Sequence, residues 1–226
     1  MAPPISAAGT GDQKGGAVSP PDPWDPLIRI SHWGIALAVL ANGLINKPGG
    51  TVHVWVGWAV MALLITRLSW GFFGPAEARF SAFPPNPRAA WAHLASLLRG
   101  KPREHASHNP AGALMVYALW ACLIAVSITG LVMTEGKSPV TIAEEKAAVA
   151  AGDWSVLVTA DEAGDDDNHD SRGKLAKEVH EVAANLMLIL ALIHVGGVGV
   201  ESMALRRNLV RPMIRGPQRT RKGSGA

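Results

Sequence analysis

Cysteine is all but missing from this chain of 226 residues: Cys122 stands alone. No intramolecular disulfide can form, and no Cys-x-x-Cys-His segment exists to hold a c-type haem covalently. The single thiol lies inside an apolar run and reads as a small apolar filler. Charge is sparse too, at 17% of residues with a formal net of +3, so no nucleic-acid partner is expected. Residues 1–23, rich in Gly, Pro and Ala, have no apolar run and hence no signal-peptide core; they read as a disordered tail. What the chain has in excess is apolar: 48% hydrophobic residues and a mean hydropathy of +0.17. That balance fits a small polytopic membrane protein better than a soluble domain.

Four stretches are long and apolar enough to span a bilayer: Leu27 to Ile45, Thr51 to Phe73, Ala111 to Met133 and residues 174–205. Asn46 to Gly50, with Pro48-Gly49-Gly50, can only join antiparallel neighbours. Between the second and third spans, residues 74–109 carry Arg79, Arg88, Arg99, Lys101 and Arg103 against Glu77 and Glu104. Within them Pro87 to Leu98 has apolar residues at helical spacing and should lie on the membrane surface. Residues 135–172 hold ten acidic residues against Lys137, Lys146 and Arg172, a formal −7. They are expected to form a long loop, with a short helix behind a capping box at Thr141-x-x-Glu144 and a solvated acidic tip at DEAGDDDNHD. The basic residues of 74–109 and of the tail after span four fall on one side, so the positive-inside rule places both termini in the cytoplasm. The domain reading is a disordered tail 1–23, a membrane domain 24–217 that includes the acidic outer loop 135–172, and a basic tail 218–226. Trp24, Trp70 and Trp91 should mark the inner interface, Trp55 and Trp154 the outer.

Ionisable residues inside a span are costly and face the bundle interior. His180 and His194 are fourteen positions apart, which brings them to within about 40° of each other and about 21 Å apart along one helix face. His32 lies near the inner end of span one and His53 near the outer end of span two. Sorted by depth, the four make two pairs, His32 with His194 and His53 with His180. A zinc site wants four ligands around one ion; two neutral imidazoles at each of two depths suit haem iron, held six-coordinate for electron transfer. Gly34, Gly57, Gly130, Gly196 and Gly197 offer places where a macrocycle could approach backbone. Arg29 and Arg67, near the inner ends of spans one and two, are candidate partners for haem propionates, or snorkel to headgroups. His93, His105, His108 and His169 read as solvated or snorkelling side chains. Haem ligation competes with a packing role for the four histidines and with a non-redox membrane anchor or metal transporter.

The segments WDPLIRISHW at 24–33, HVWVGWAVMALLITRLSWGFFGP at 53–75 and ARFSAF at 78–83 form a combined pattern with HNPAGALMV at 108–116, VHEVAANLMLILALIH at 179–194 and NLVRPMIRG at 208–216. Together they resemble the prokaryotic di-haem cytochrome b561 family, which includes the b-type cytochrome subunit of nickel–iron hydrogenases. The resemblance covers about residues 24–135 and 174–217. It implies an all-α bundle of four transmembrane helices in a bacterial inner membrane, with two haems b and with His32, His53, His180 and His194 as axial ligands. It also implies electron exchange between the quinone pool and a partner such as a c-type cytochrome, a hydrogenase-like complex or another periplasmic redox protein. Some members resemble superoxide:quinone oxidoreductases, so the chain is either an electron-transfer subunit or a quinone-linked oxidoreductase. The departure is the 135–172 loop, longer and more acidic than the resemblance implies. Its charge favours a basic docking partner and disfavours superoxide arriving from outside.

Overall fold

The computed structural model describes residues 25–99, 109–156, 166–206 and 208–215. The expected tails 1–23 and 218–226, Trp24, His105 and His108 lie outside the described residues.

Helix α1 (Pro26–Leu40) runs on through a π-helical turn (Ala41–Ile45), followed by α2 (Thr51–Phe73), α3 (Pro87–Leu98), α4 (Pro110–Met133), α5 (Pro139–Ala150), α6 (Asp166–Ala204) and α7 (Val210–Arg215). Four of these begin in the same way. Asp25, Asn86, Asn109 and Ser138 each accept a hydrogen bond from a backbone N–H of the first turn, with Pro at the first helical position. A polar oxygen thus satisfies an orphan donor, and the proline occupies a site where no N–H is needed. This corrects the start of α5: its cap is Ser138, bonded to the Thr141 N–H at 3.1 Å, so Thr141 lies inside the helix. It also shortens the expected loop 135–172, much of which is helix. Residues 166–170 of the expected acidic tip are the first residues of α6, and 161–165 lie outside the described residues.

The longest contact is α4 along α6; α1 pairs with α2, and α3 lies against α4. Val60, Leu64, Cys122, Leu123 and Met187 make the core where α2, α4 and α6 meet. The core is thin. Ile30, Leu37, Ile65, Leu192 and Val195 are each more than half exposed, an outward apolar surface that belongs in hydrocarbon. Four helical stretches, Pro26–Ile45, Thr51–Phe73, Pro110–Met133 and Ser171–Ala204, are long and apolar enough to cross a membrane. The molecule is an all-α membrane bundle, without strands among the described residues.

The two ends of the bundle are tied differently. At one end the Trp70 indole N–H donates to Asp25 (2.5 Å), the Arg29 guanidinium donates to the Ile214 and Met213 carbonyls (2.7 and 3.3 Å), and the amide of Asn109 donates to Glu201. At the other the Lys146 ammonium donates to the Gly49 carbonyl (3.0 Å), joining α5 to the α1–α2 connection. Lys137 pairs with Glu145 at 3.0 Å. Its pKa is raised, first by the hydrogen bond to Glu145 and then by the nearby charges.

Candidate functional site

α1, α2 and α6 bring the four histidines to two places. The rings of His32 and His194 have centroids 6.3 Å apart and are tilted by 55°; those of His53 and His180 are 6.2 Å apart with the same tilt. All four side chains are half-buried. Because α6 is continuous from Asp166 to Ala204, the two places are separated by about fourteen rises of 1.5 Å, roughly 21 Å. The row His180, Met187, His194, Glu201 recurs every seven residues and drifts only about 20° per step, which keeps it on the inward face of α6.

The ring separations decide what can sit between the rings. An imidazole nitrogen bonds a first-row metal at about 2.0 Å and lies about 1.1 Å from its own ring centroid, so two rings facing one ion have centroids about 6.2 Å apart. Packed aromatic side chains reach the same separations, as Phe80 and Tyr117 do at 6.3 Å, so it is the pairing of two imidazoles at each place that points to a metal. Among the described residues no three or more His, Cys, Asp or Glu gather as a closed metal-ion site would require. Each pair is spaced as two imidazole ligands of one ion would be, an arrangement that a planar macrocycle with four ligands of its own would complete.

The surroundings fit such a group. Thr129 donates its hydroxyl to the Ala125 carbonyl (2.7 Å), which leaves its oxygen to accept from His180 Nδ1–H at 3.0 Å. That fixes the tautomer of His180 with its Nε2 lone pair available. The Nδ1 atoms of His32 and His53 are buried without a hydrogen-bond partner. Asn42, in the π turn, donates to the His53 carbonyl at 3.0 Å and accepts from Asn46 at 2.7 Å, and so sets the start of α2. A π turn that places a side chain on a site residue is a recurrent functional device.

The glycines divide. A side chain at Gly57, Gly196 or Gly197 would meet nothing within 4 Å, so bare backbone borders open space there. At Gly130 it would touch the His180 ring at 3.7 Å. Gly34 behaves otherwise: a Cβ would lie 2.9 Å from Leu63, so it serves the close approach of α1 to α2.

The arginines divide as well. Arg67 is 7% exposed, its plane lies 5.2 Å from the centre of the Trp120 ring, and one terminal nitrogen is buried without a partner. It is close enough to His32 and Asp25 to interact electrostatically. A buried guanidinium with an unused donor is costly unless an anion meets it. Arg29 is instead committed to the carbonyls of α7.

One histidine sits where sequence reasoning did not put it. His93 is buried at 5% exposure, with Nε2 3.8 Å from a carboxylate oxygen of Glu201; the expectation of a solvated side chain is corrected. On α3, Ala90 and His93 are both buried while Trp91 and Leu94 face outward. The signal available was the three-residue spacing of Ala90 and His93, on the side of α3 away from the outward apolar stripe of Trp91 and Leu94. His169 lies in the first turn of α6.

A family model described as prokaryotic cytochrome b561 matches residues 23–216, a range that includes every described residue. No curated protein and no solved structure matches.

Proposed function

The chain belongs to the prokaryotic cytochrome b561 family, and from that premise we propose that it carries electrons between the quinone pool and a periplasmic redox partner through two haems b. Membership makes it a b-type cytochrome of a bacterial membrane, binding haem b and working in transmembrane electron transfer. The two-haem count, the ligands, the quinone and the partner are the proposal. The observation that carries it is the pair of facing imidazoles at 6.3 and 6.2 Å.

Haem b would supply a one-electron iron couple suited to electron transfer. The protein does the rest. His32 with His194 and His53 with His180 would hold the two groups; Thr129 orients His180; Arg67 would meet propionate charge at the His32 end; Gly57 would leave room beside His53. The separation of roughly 21 Å along α6 divides a hydrocarbon layer of about 30 Å into shorter steps. Both termini lie in the cytoplasm, the Asp25 end of the bundle is the inner one, and the chain crosses the membrane four times. Quinone exchanges electrons at one of these ends, and a basic partner such as a c-type cytochrome docks at the acidic outer surface.

The test is a haem count on the purified protein with a reduced-minus-oxidised spectrum, repeated for His180→Ala and His194→Ala. Two haems b in the parent, and loss of a different one in each variant, is the expected result. One haem or none in the parent would return the histidines to packing.

A further inference from the structure

His93 and Glu201 are ionisable, inward-facing and unused by the electron path, yet they lie in line with it. Glu201 follows His194 by seven residues, two turns along the same face of α6 and about 10 Å beyond the His32/His194 pair. Their side chains are only 3% and 15% exposed. Asn109 clamps the arrangement: its carbonyl oxygen caps α4 by accepting from the Gly112 N–H at 2.6 Å, and its amide donates to the second oxygen of Glu201. The carboxylate thus rests at the positive end of α4, where negative charge is favoured. At 3.8 Å the imidazole and carboxylate are too far apart for a direct hydrogen bond. Two buried ionisable groups held at this spacing can share and exchange a proton with little movement.

We infer that His93 and Glu201 form a redox-linked proton site, which takes up a proton when the centre at His32/His194 gains an electron and gives it up when that electron leaves. The inference rests on the two-haem reading above. Oxidation of one quinol to quinone releases two electrons and, to the aqueous phase, two protons; for each electron that the inner site would hold, the pair would take one proton from the aqueous phase at the inner end and return it there when that electron leaves. The physical cause is Coulombic. An added electron makes the centre more negative, and a low-dielectric site on the same helix face then holds its proton more tightly. By reciprocity, a proton on the pair makes reduction easier.

Other ionisable groups face this end and must be told apart from the pair. Arg88 and Arg99 lie on α3, Tyr117 on α4 within a cluster of Phe83 and Trp120, and Arg206 after α6. Across the bundle, Asp25 is engaged with Trp70 and Leu27, and Arg67 lies beside His32. None of the arginines changes charge in the working range, and a tyrosine does so only near pH 10. Among the described residues that leaves Asp25 and Glu77 as competing acids; Glu104, His105 and His108, which precede Asn109 in the chain, lie outside the described residues.

A spectrally resolved redox titration of the full-length, haem-loaded protein from about pH 5 to about pH 9 spans the carboxylate and imidazole ranges. The parent is expected to show one centre whose potential falls with rising pH, with a slope up to about 59 mV for each tenfold change in proton concentration, and a second centre that stays flat. Glu201→Gln, with both haems retained, should flatten the sloping centre. His93→Gln should do the same or shift its range, and serves if the first variant loses haem. Hydrogen exchange of α3 is followed alongside, because a mere pin would change protection there and leave the slope alone. A flat parent, or a slope unchanged in both variants, overturns the inference while the two-haem reading stands. A slope abolished by Asp25→Asn instead assigns the proton elsewhere and also overturns it. Absence of haem from the parent removes the reading on which it rests.

Discussion

Thr129 and Arg67 do opposite things to the two ends of the bundle. Thr129 is 9% exposed and accepts from the His180 ring; Thr129→Val keeps its shape and removes the acceptor. Outer-shell partners of this kind are worth about 10- to 100-fold in ligand-site affinity. The expected outcome is easier loss of the haem assigned to His53/His180 on dilution or in apo-protein competition, with the other unaffected. Equal retention of both would show that the hydroxyl only back-bonds α4. Arg67→Met takes a positive charge from beside His32. The potential of the inner centre should fall by an amount on the order of 1 kcal/mol, since interior charge pairs several ångströms apart interact with an effective dielectric near 20. A redox titration in which neither centre moves would exclude the propionate role. Neither residue could be ranked from the chain alone: Arg29 and Arg67 stand at similar depths, and only the carbonyls of Met213 and Ile214 around Arg29 separate them.

At the scale of the element, the π turn at Ala41–Ile45 joins α1 to the outer site. Its wider ring, closed by Asn46 N–H to the Ala41 carbonyl at 2.8 Å, turns Asn42 toward α2. Asn42→Leu is expected to loosen the outer haem while the inner one is held as before, measured as the ratio of the two in reduced spectra. A uniform loss of both would mean that the turn serves folding of the bundle. The polar–Pro helix starts are an element signature written in the sequence. They set α1 and α4 one residue earlier than hydropathy does, because hydropathy senses lipid and a cap senses orphan N–H groups. Ser138→Ala should cost about 1 kcal/mol of local stability in α5, seen as faster hydrogen exchange over Pro139–Ala150 with no change at α4.

For the whole molecule, charge separation is the main device. Segment 135–172 carries a formal −7, while basic residues gather near the other end; in the proposed orientation a basic protein approaching from outside would be steered. The rate of electron exchange with a basic c-type cytochrome should fall roughly tenfold or more between low and physiological ionic strength, as steered association does. An ionic-strength-independent rate would place docking elsewhere. The helical content of this segment matters here, since α5 is held to Gly49 and so keeps its acids at a fixed place on the outer end.

Composition, hydropathy and periodicity by themselves determined the membrane class, the four apolar helices, the helix Pro87–Leu98 and the common face of His180 and His194. These follow from local rules: lipid demands apolar length, and 3.6 residues per turn fixes which side chains align. The tertiary structure decided what depends on approach between helices. It set the ring separations near 6 Å, assigned Thr129 to His180, turned Gly34 into a packing contact and buried His93 against Glu201. Helix faces distant in sequence meet only after α3, α4 and α6 have packed. A histidine on an interfacial helix looks solvated until the carboxylate that faces it, 108 positions away, is brought to its side.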